Sequence, residues 1–275
     1  MRRVGIAIFT QQFQLVNFKA QRHFTDGFSL IQASVNRRNY KKMANIQYVT
    51  ENRLAKEASE ERKQVLSFGA PIVFVLCLIF PIAWWWFLLA YLIIVLNAGI
   101  IKRSGAKGEN ATLEMLSLLP DSYTIFNQVQ VPNKQSRNGN TEIDFVVVGP
   151  NGVFVIEVKN NNSIIICSDE DREWLVYKVG RRGTPYTASM RNPVKQLKGQ
   201  IWALNNFTKE RRYKTWLEGI VFFSNPNCCL KFTGEPSATI LHHSGLIDYI
   251  LHHKPKYAPS NLEKFVQDLI AIKCT

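Results

Sequence analysis

The stretch TEIDFVVVGPNGVFVIEVKN, residues 141–160, decides the fold. It holds two apolar runs, Ile143–Gly149 and Gly152–Lys159, joined by Gly149-Pro150-Asn151-Gly152, and reads as two strands of a hairpin. Each run carries charge that a buried strand should not tolerate: Asp144 in the first, Glu157 and Lys159 in the second. A buried carboxylate without a partner is costly, so it demands a cation, a lysine or a metal beside it. With Pro150-Asn151 as a two-residue loop, Gly149 faces Gly152 and Asp144 falls opposite Glu157, on the face that Glu157 shares with Lys159. Two carboxylates and a lysine then converge on one patch of sheet. Pro150 cannot take the positive φ of a type I′ turn, however, and a three-residue loop would slip this register by one.

An Asp followed by Glu-x-Lys on the next strand resembles the PD-(D/E)xK nuclease superfamily. More closely, Gly105–Leu204 is similar to the nuclease-related domain (NERD) family. The matching pieces are Gly108-Glu109 opening a helix, TEID, GPNGVFVIEVKN, and Asn192-Pro193-Val194-Lys195-Gln196 opening a later helix. The resemblance covers a little over a third of the chain. It implies an α/β fold, a restriction-endonuclease-like mixed β-sheet flanked by helices, and metal-dependent hydrolysis of phosphodiester bonds in DNA. Carried over residue by residue, it gives Asp144, Glu157, Lys159 and Gln196 catalytic roles. It gives Glu109, Asp144, Glu157 and the main-chain carbonyl of Val158 to the metal, with Mg2+ the expected cofactor and Mn2+ a substitute. Hard divalent cations of this kind take oxygen ligands and keep several waters. Asn160-Asn161-Asn162 stand where the family often has a glycine, which leaves this chemistry untouched. Without the resemblance, Glu109 and Glu114 would both read as ordinary acids on a helix surface, and Glu114 keeps that reading.

Two other functions stay open at the level of sequence. The same fold can serve as a non-catalytic module that holds nucleic acid or a protein. The chain can also be a membrane scaffold whose lysines and arginines meet anionic headgroups. The net charge of +13 suits an anionic partner under any of these readings. The charge is uneven: residues 1–42 carry eight basic residues against Asp26 alone, which leaves the nuclease-like part only mildly basic. Nucleic acid, DNA before RNA, is the expected partner, with Lys195, Lys198, Arg181 and Arg182 as candidate phosphate contacts. A homodimer is a further expectation, since many such nucleases work in pairs.

Phe68–Leu96 contains no charged residue and includes Pro81 and Trp84-Trp85-Trp86. A membrane span needs about 20 such residues, and this run is longer. Either one long helix kinked at Pro81 or a tight hairpin of two short segments accounts for it. Flanking charge does not orient it, because basic residues stand on both sides. The expected organisation is a disordered basic tail over 1–42, a charged helix over 43–67, the membrane segment over 68–101 and an α/β domain over 104–275. The membrane, the cytoplasmic one if the source is bacterial, would carry the domain on its cytoplasmic face, where the substrate is. Met43 is an alternative start, at which the basic tail would be absent.

The remaining pattern predicts a helix over Ser104–Leu119, a strand over Tyr123–Val131, shorter strands near 163–167 and 173–179, and a helix over Asn192–Phe207. For the last, Asn192 is the cap and Pro193 the first helical residue. Another strand falls at Gly219–Ser224, and helices at His242–Tyr249 and Asn261–Lys273 close the chain. The five cysteines show no disulfide framework, and neither His242-His243 nor Cys228-Cys229 has the spacing of a zinc site.

Overall fold

The computed structural model describes residues 45–48, 52–79, 84–180, 183–257 and 260–273. The basic tail over 1–42, Met43, Pro81, Arg181 and Arg182 lie outside the described residues.

A six-stranded mixed sheet carries the 141–160 hairpin at its centre. In chain order its strands are β1 (Asn45–Tyr48), β2 (Thr124–Pro132), β3 (Asn140–Gly149), β4 (Gly152–Lys159), β8 (Leu217–Phe223) and β10 (Thr239–His242), and they lie side by side in that same order. β3 runs antiparallel to both its neighbours, β2 and β4, whereas β1, β8 and β10 join their neighbours in parallel. A second sheet of four strands is built from β5 (Ile164–Cys167), β6 (Glu173–Val179), β7 (Pro185–Arg191) and β9 (Cys229–Phe232), in the order β7-β6-β5-β9.

Alternation along the central strands loads both faces of the large sheet. One face packs Val146, Val148, Val153 and Val155 against α4 (Pro193–Glu210), α6 (Leu262–Lys273) and the second sheet, through Leu197, Leu204, Phe265 and Trp174. The other packs Ile125, Phe145, Val147, Phe154 and Ile156 against Leu116 of α3 (Ile100–Leu116) and against Leu246 and Ile250 of α5 (Leu246–His252). Burial on both faces is why these strands read as near-continuous apolar runs. Gly219 lets β8 sit close under α4, since a Cβ there would lie 2.4 Å from Ile201 Cδ1.

The apolar run is not one helix. α1 (Arg53–Ile79) and α2 (Trp84–Asn97) fold back antiparallel, and α3 follows after Gly99. The Tyr91 hydroxyl of α2 donates to the carbonyls of Val65 (3.2 Å) and Leu66 (3.0 Å) on α1. Gly99 takes φ of 72° against the buried Ala58, where a Cβ would lie 2.9 Å from a backbone oxygen. By length and composition, Arg53–Ile79 and the stretch Trp85–Leu116, which joins α2 to α3, are each long and apolar enough to cross a membrane. The helix expected over 43–67 starts only at Arg53, because Asn52 caps it by accepting the Ala55 N–H (3.2 Å) and Asn45–Tyr48 is spent as an edge strand on β2.

Other differences are local. His242 ends a strand, so the helix expected from 242 begins at Leu246. β7, β9 and β10 go beyond the strands that the pattern predicts; each is short or exposed along most of its length, which blurs its alternation.

Candidate active site

The hairpin loop has two residues, and Gly149 pairs with Gly152. Neither Pro150 nor Asn151 takes positive φ; Gly152 does, at 129°, so the glycine absorbs the mismatch that a proline-containing loop creates. The ladder then runs Val148–Val153, Val147–Phe154, Val146–Val155 and Phe145–Ile156, which puts Asp144 level with Glu157. At that level the paired ladder stops. The N–H of Val158, which points towards β3 by alternation, is taken by the Asp144 carboxylate (Oδ2, 2.7 Å). Asp144 therefore sits in a fork between two parting strands.

The same level is irregular on the other side of β3. Residues on both sides of Gln128 pair in one unbroken register with β3, yet Gln128, facing Asp144, forms no ladder pair itself and adopts φ of 49°. Left-handed backbone at a residue other than glycine costs about 1 kcal/mol or more and marks a place where geometry is imposed. Across this step both strands change phase: Phe126 and Val129 face the α4 side alike, while Ile143 faces that side and Phe145 the opposite one. The double switch turns the Gln128 side chain to Glu109 of α3, to which its amide donates (2.9 Å).

Two clusters thus meet at the fork. On the α4 side, Glu157 is 1% exposed and ion-paired to Lys159. Its other oxygen accepts from Gln200 Nε2 (2.6 Å), which also donates to the Glu142 carbonyl (3.0 Å). Lys159 Nζ donates in addition to Gln196 Oε1 (3.2 Å). Gln196 and Gln200 sit four apart on α4, whose start is fixed by Asn192 accepting the N–H groups of Val194 (2.9 Å) and Lys195 (3.2 Å), with Pro193 in the first turn. On the α3 side, Glu109 accepts from Gln128 and from Asn52 Nδ2 (3.1 Å). Gly108 makes this approach possible, since a Cβ there would lie 2.5 Å from Asn160 Cβ.

Electrostatics follow from this crowding. Burial pushes the Asp144 carboxyl well above the ordinary aspartate value, and Glu157 pushes it the same way; the Val158 N–H and Lys159 only partly offset them. Burial also raises Glu109, against the hydrogen bond from Gln128, with Glu142 and Glu157 adding repulsion. Such carboxyls release their protons most readily when a cation arrives.

The donor set fits a hard cation of the magnesium type. All candidate ligands are oxygens, and the second oxygens of Asp144 and Glu109 accept no hydrogen bond from the described residues. Among the described residues no three His, Cys, Asp or Glu side chains are grouped closely enough to hold one ion. A cation here would rest on at most two carboxylates, with carbonyl, water or substrate oxygens completing its shell, which is the habit of magnesium.

Asp144, Glu157, Lys159, Gln196 and Glu109 are thus brought to one region. Lys195 and Lys198 stand exposed on the first turns of α4, their ammonium groups on the Glu170 carbonyl (2.9 Å) and the Ser237 hydroxyl (2.6 Å). Sequence reasoning missed Gln200, Gln128, Glu142, Asn52 and Arg53. Only Gln200 had a legible signal, its i+4 spacing from Gln196; the others, from mid-β2, the start of β3 and the start of α1, are brought together only by the tertiary fold.

The nuclease-related domain family model matches residues 104–224, which contain all the carboxylates of the fork. Residues 104–224 are a nuclease-related domain. An uncharacterized protein of Bacillus anthracis is 29% identical over 111 residues, which make up 40% of this chain and 51% of the relative. The chain therefore spans about half the length of the curated relative it matches. No solved structure matches. Met1–Arg103, including the apolar hairpin, lies outside the nuclease-related domain match.

Proposed function

We propose that the chain is a membrane-anchored, metal-dependent nuclease that hydrolyses phosphodiester bonds of DNA, its domain facing the cytoplasm. The observation that carries this reading is the fork, where Asp144 accepts the Val158 N–H beside the Glu157–Lys159–Gln196 chain. Asp144, Glu157 and the Val158 carbonyl would hold Mg2+ or Mn2+, with Glu109 able to reach its shell through water. When bound, the cation polarises a phosphoryl oxygen and lowers the pKa of a ligated water.

Each side chain of the fork then has its own part. Lys159, held between Glu157 and Gln196, directs its ammonium to the attacking water and to the charge that grows on the phosphoryl oxygens. Gln196 fixes the ammonium and can turn its amide to the water or to a phosphate. Gln200 keeps Glu157 in a single orientation from behind. The water oxygen bonds to phosphorus as the bond to the leaving sugar oxygen breaks; the water's proton leaves to solvent, since Lys159 is already an ammonium, and the leaving oxygen takes a proton from solvent water.

The test is cleavage of linear, circular and single-stranded DNA by the full chain in detergent, with Mg2+, Mn2+ or EDTA, beside Glu157→Ala and Lys159→Ala. Metal-dependent cutting lost in both variants supports the enzyme. The full chain is needed because β1, Asn52 and Arg53 precede the apolar hairpin yet belong to the sheet and the site. One observation favours a second reading: no three-ligand group exists among the described residues. A non-catalytic module with this fold would bind DNA and leave it uncut whichever metal is supplied.

A further inference from the structure

From the apolar hairpin we infer that neither of its helices crosses the bilayer: α1 and α2 enter the membrane from one face, turn within it, and return to the same face. The partner of this surface is lipid.

Length is the first argument. Lys63 is the last charged residue of α1, so its charge-free part is residues 64–79, about 24 Å of helix. α2 has 14 residues, about 21 Å. A hydrocarbon core is about 30 Å thick, and each leg falls short of it. The charge-free sequence is long enough for one full span, but the chain spends it on two short antiparallel legs.

Packing is the second. The legs touch at two levels. Deep in the hairpin, Gly69 admits the Tyr91 ring, since a Cβ at 69 would lie 2.5 Å from it. At the mouth, Gly99 meets Ala58, and Lys102 bridges Glu57 (3.5 Å) and Glu61 (3.3 Å). The charged collar therefore belongs to both legs at once. Beyond it the outward side chains are apolar and open: Phe68 is 72% exposed, Leu78 67%, Trp86 69%. Water would leave this surface an aggregation hazard, whereas lipid matches it, because each helix satisfies its own backbone.

The third is the fixed connection to the domain. α3 runs from the mouth of the hairpin straight to Glu109, and the start of α1 reaches the same place. Asn52 bonds Glu109, the Arg53 N–H donates to Gln128 Oε1 (2.9 Å), and the Arg53 guanidinium pairs with Glu142 (2.5 Å). Both legs thus leave the membrane into one rigid body. Gln64 lies twelve positions beyond Asn52 along the helix, so the fork stands about 18 Å above the start of the apolar zone. This placement does not depend on whether the fork cuts DNA.

The test uses the full chain in vesicles of phosphatidylcholine and phosphatidylglycerol, treated with a membrane-impermeant maleimide and read site by site by mass spectrometry. Exposed positions are substituted singly: Glu60→Cys on α1, Lys107→Cys on α3, Lys264→Cys on the domain, and Ile79→Cys near the turn. Positions 60, 107 and 264 should label to the same fraction, while position 79 should label about tenfold more after detergent, as expected for a site within hydrocarbon. The native Cys77 gives the same reading without substitution at the turn. Labelling of 60 and 107 from opposite sides would overturn the inference in favour of a single span. Labelling of 79 from the side opposite 264, before detergent, would overturn it in favour of two full crossings. A chain that does not float with the vesicles would overturn the lipid partner altogether.

Discussion

The fork and the hairpin break the ordinary distribution of residues in opposite directions. At the fork, Glu109, Asp144, Glu157 and Lys159 are drawn into a place built by Phe145, Ile156 and Val158, at the centre of the largest sheet. In the hairpin, Phe68, Phe74, Leu78 and Trp86 stand outside, each more than half exposed. Most charged residues lie outside a protein and large apolar ones inside, so each inversion marks a spot that the chain alone leaves incomplete. What completes them differs. On the reading proposed above, a cation completes the first and hydrocarbon the second.

The strongest blow to this comparison falls on the fork. Lys159→Ala and Glu157→Ala should each lower cleavage by about 100-fold or more, the usual cost of removing a group aimed at transition-state charge. Metal-dependent cutting that survives both variants would leave the fork as an ion pair that only sets strand register. Next comes the support behind it. Gln200→Ala leaves the inner Glu157 oxygen and the Glu142 carbonyl without the donor they share, and should destabilise the chain by about 2–3 kcal/mol in urea unfolding. Gln200→Glu should do worse, by placing a fourth carboxyl beside the others.

Asp144→Asn sharpens the comparison by moving stability and activity apart. The native carboxyl is raised in the fold, so it favours its protonated form there; its contribution is present at low pH and lost as pH rises through the raised value. At neutral pH without metal, Asn keeps the acceptor for Val158 N–H and removes the buried charge. It should raise stability by about 0.5–2 kcal/mol while abolishing cutting. The wild-type chain with EDTA should accordingly gain thermal stability on mild acidification, and added Mg2+ should recover the difference at neutral pH. The smallest effect belongs to the collar. Lys102→Ala breaks two partly exposed pairs and should cost about 0.2–1 kcal/mol, with membrane binding intact.

The sequence made the hairpin register and the α4 cap readable because both rest on local rules: a two-residue loop between glycines and an Asn-Pro helix start. The counted register holds as far as Phe145–Ile156, one step short of Asp144 and Glu157, because the ladder is regular up to there. Beyond that level the determinants are non-local. Gln128 lies in a stretch that alternates like any strand, and nothing near it in sequence shows that Asp144 opposite will force its backbone to φ of 49°. Asn52 and Arg53 reach Glu109 and Glu142 across intervals of 57 and 89 residues, which no window along the chain can sense. The helix over-extended to residue 43 fails for the same reason: Asn45–Tyr48 is a strand only because β2 offers it an edge. Apolar length alone also left one span and a hairpin equal, and only the contacts of Tyr91 and Gly99 distinguish them.

The place of β1 has a bearing on how the molecule is made. Asn45 pairs with Thr124, so neighbouring strands of one sheet are separated in synthesis by the whole apolar hairpin. A ribosome delivers β1 first, then both greasy legs, and only afterwards the strand that β1 must join. Until then β1 has nothing to hold, and β2, once made, is an open edge that invites neighbouring chains until β1 returns to it. Biogenesis and architecture are therefore tied: the two ends of the apolar hairpin have to come together before the last strand of the sheet can close.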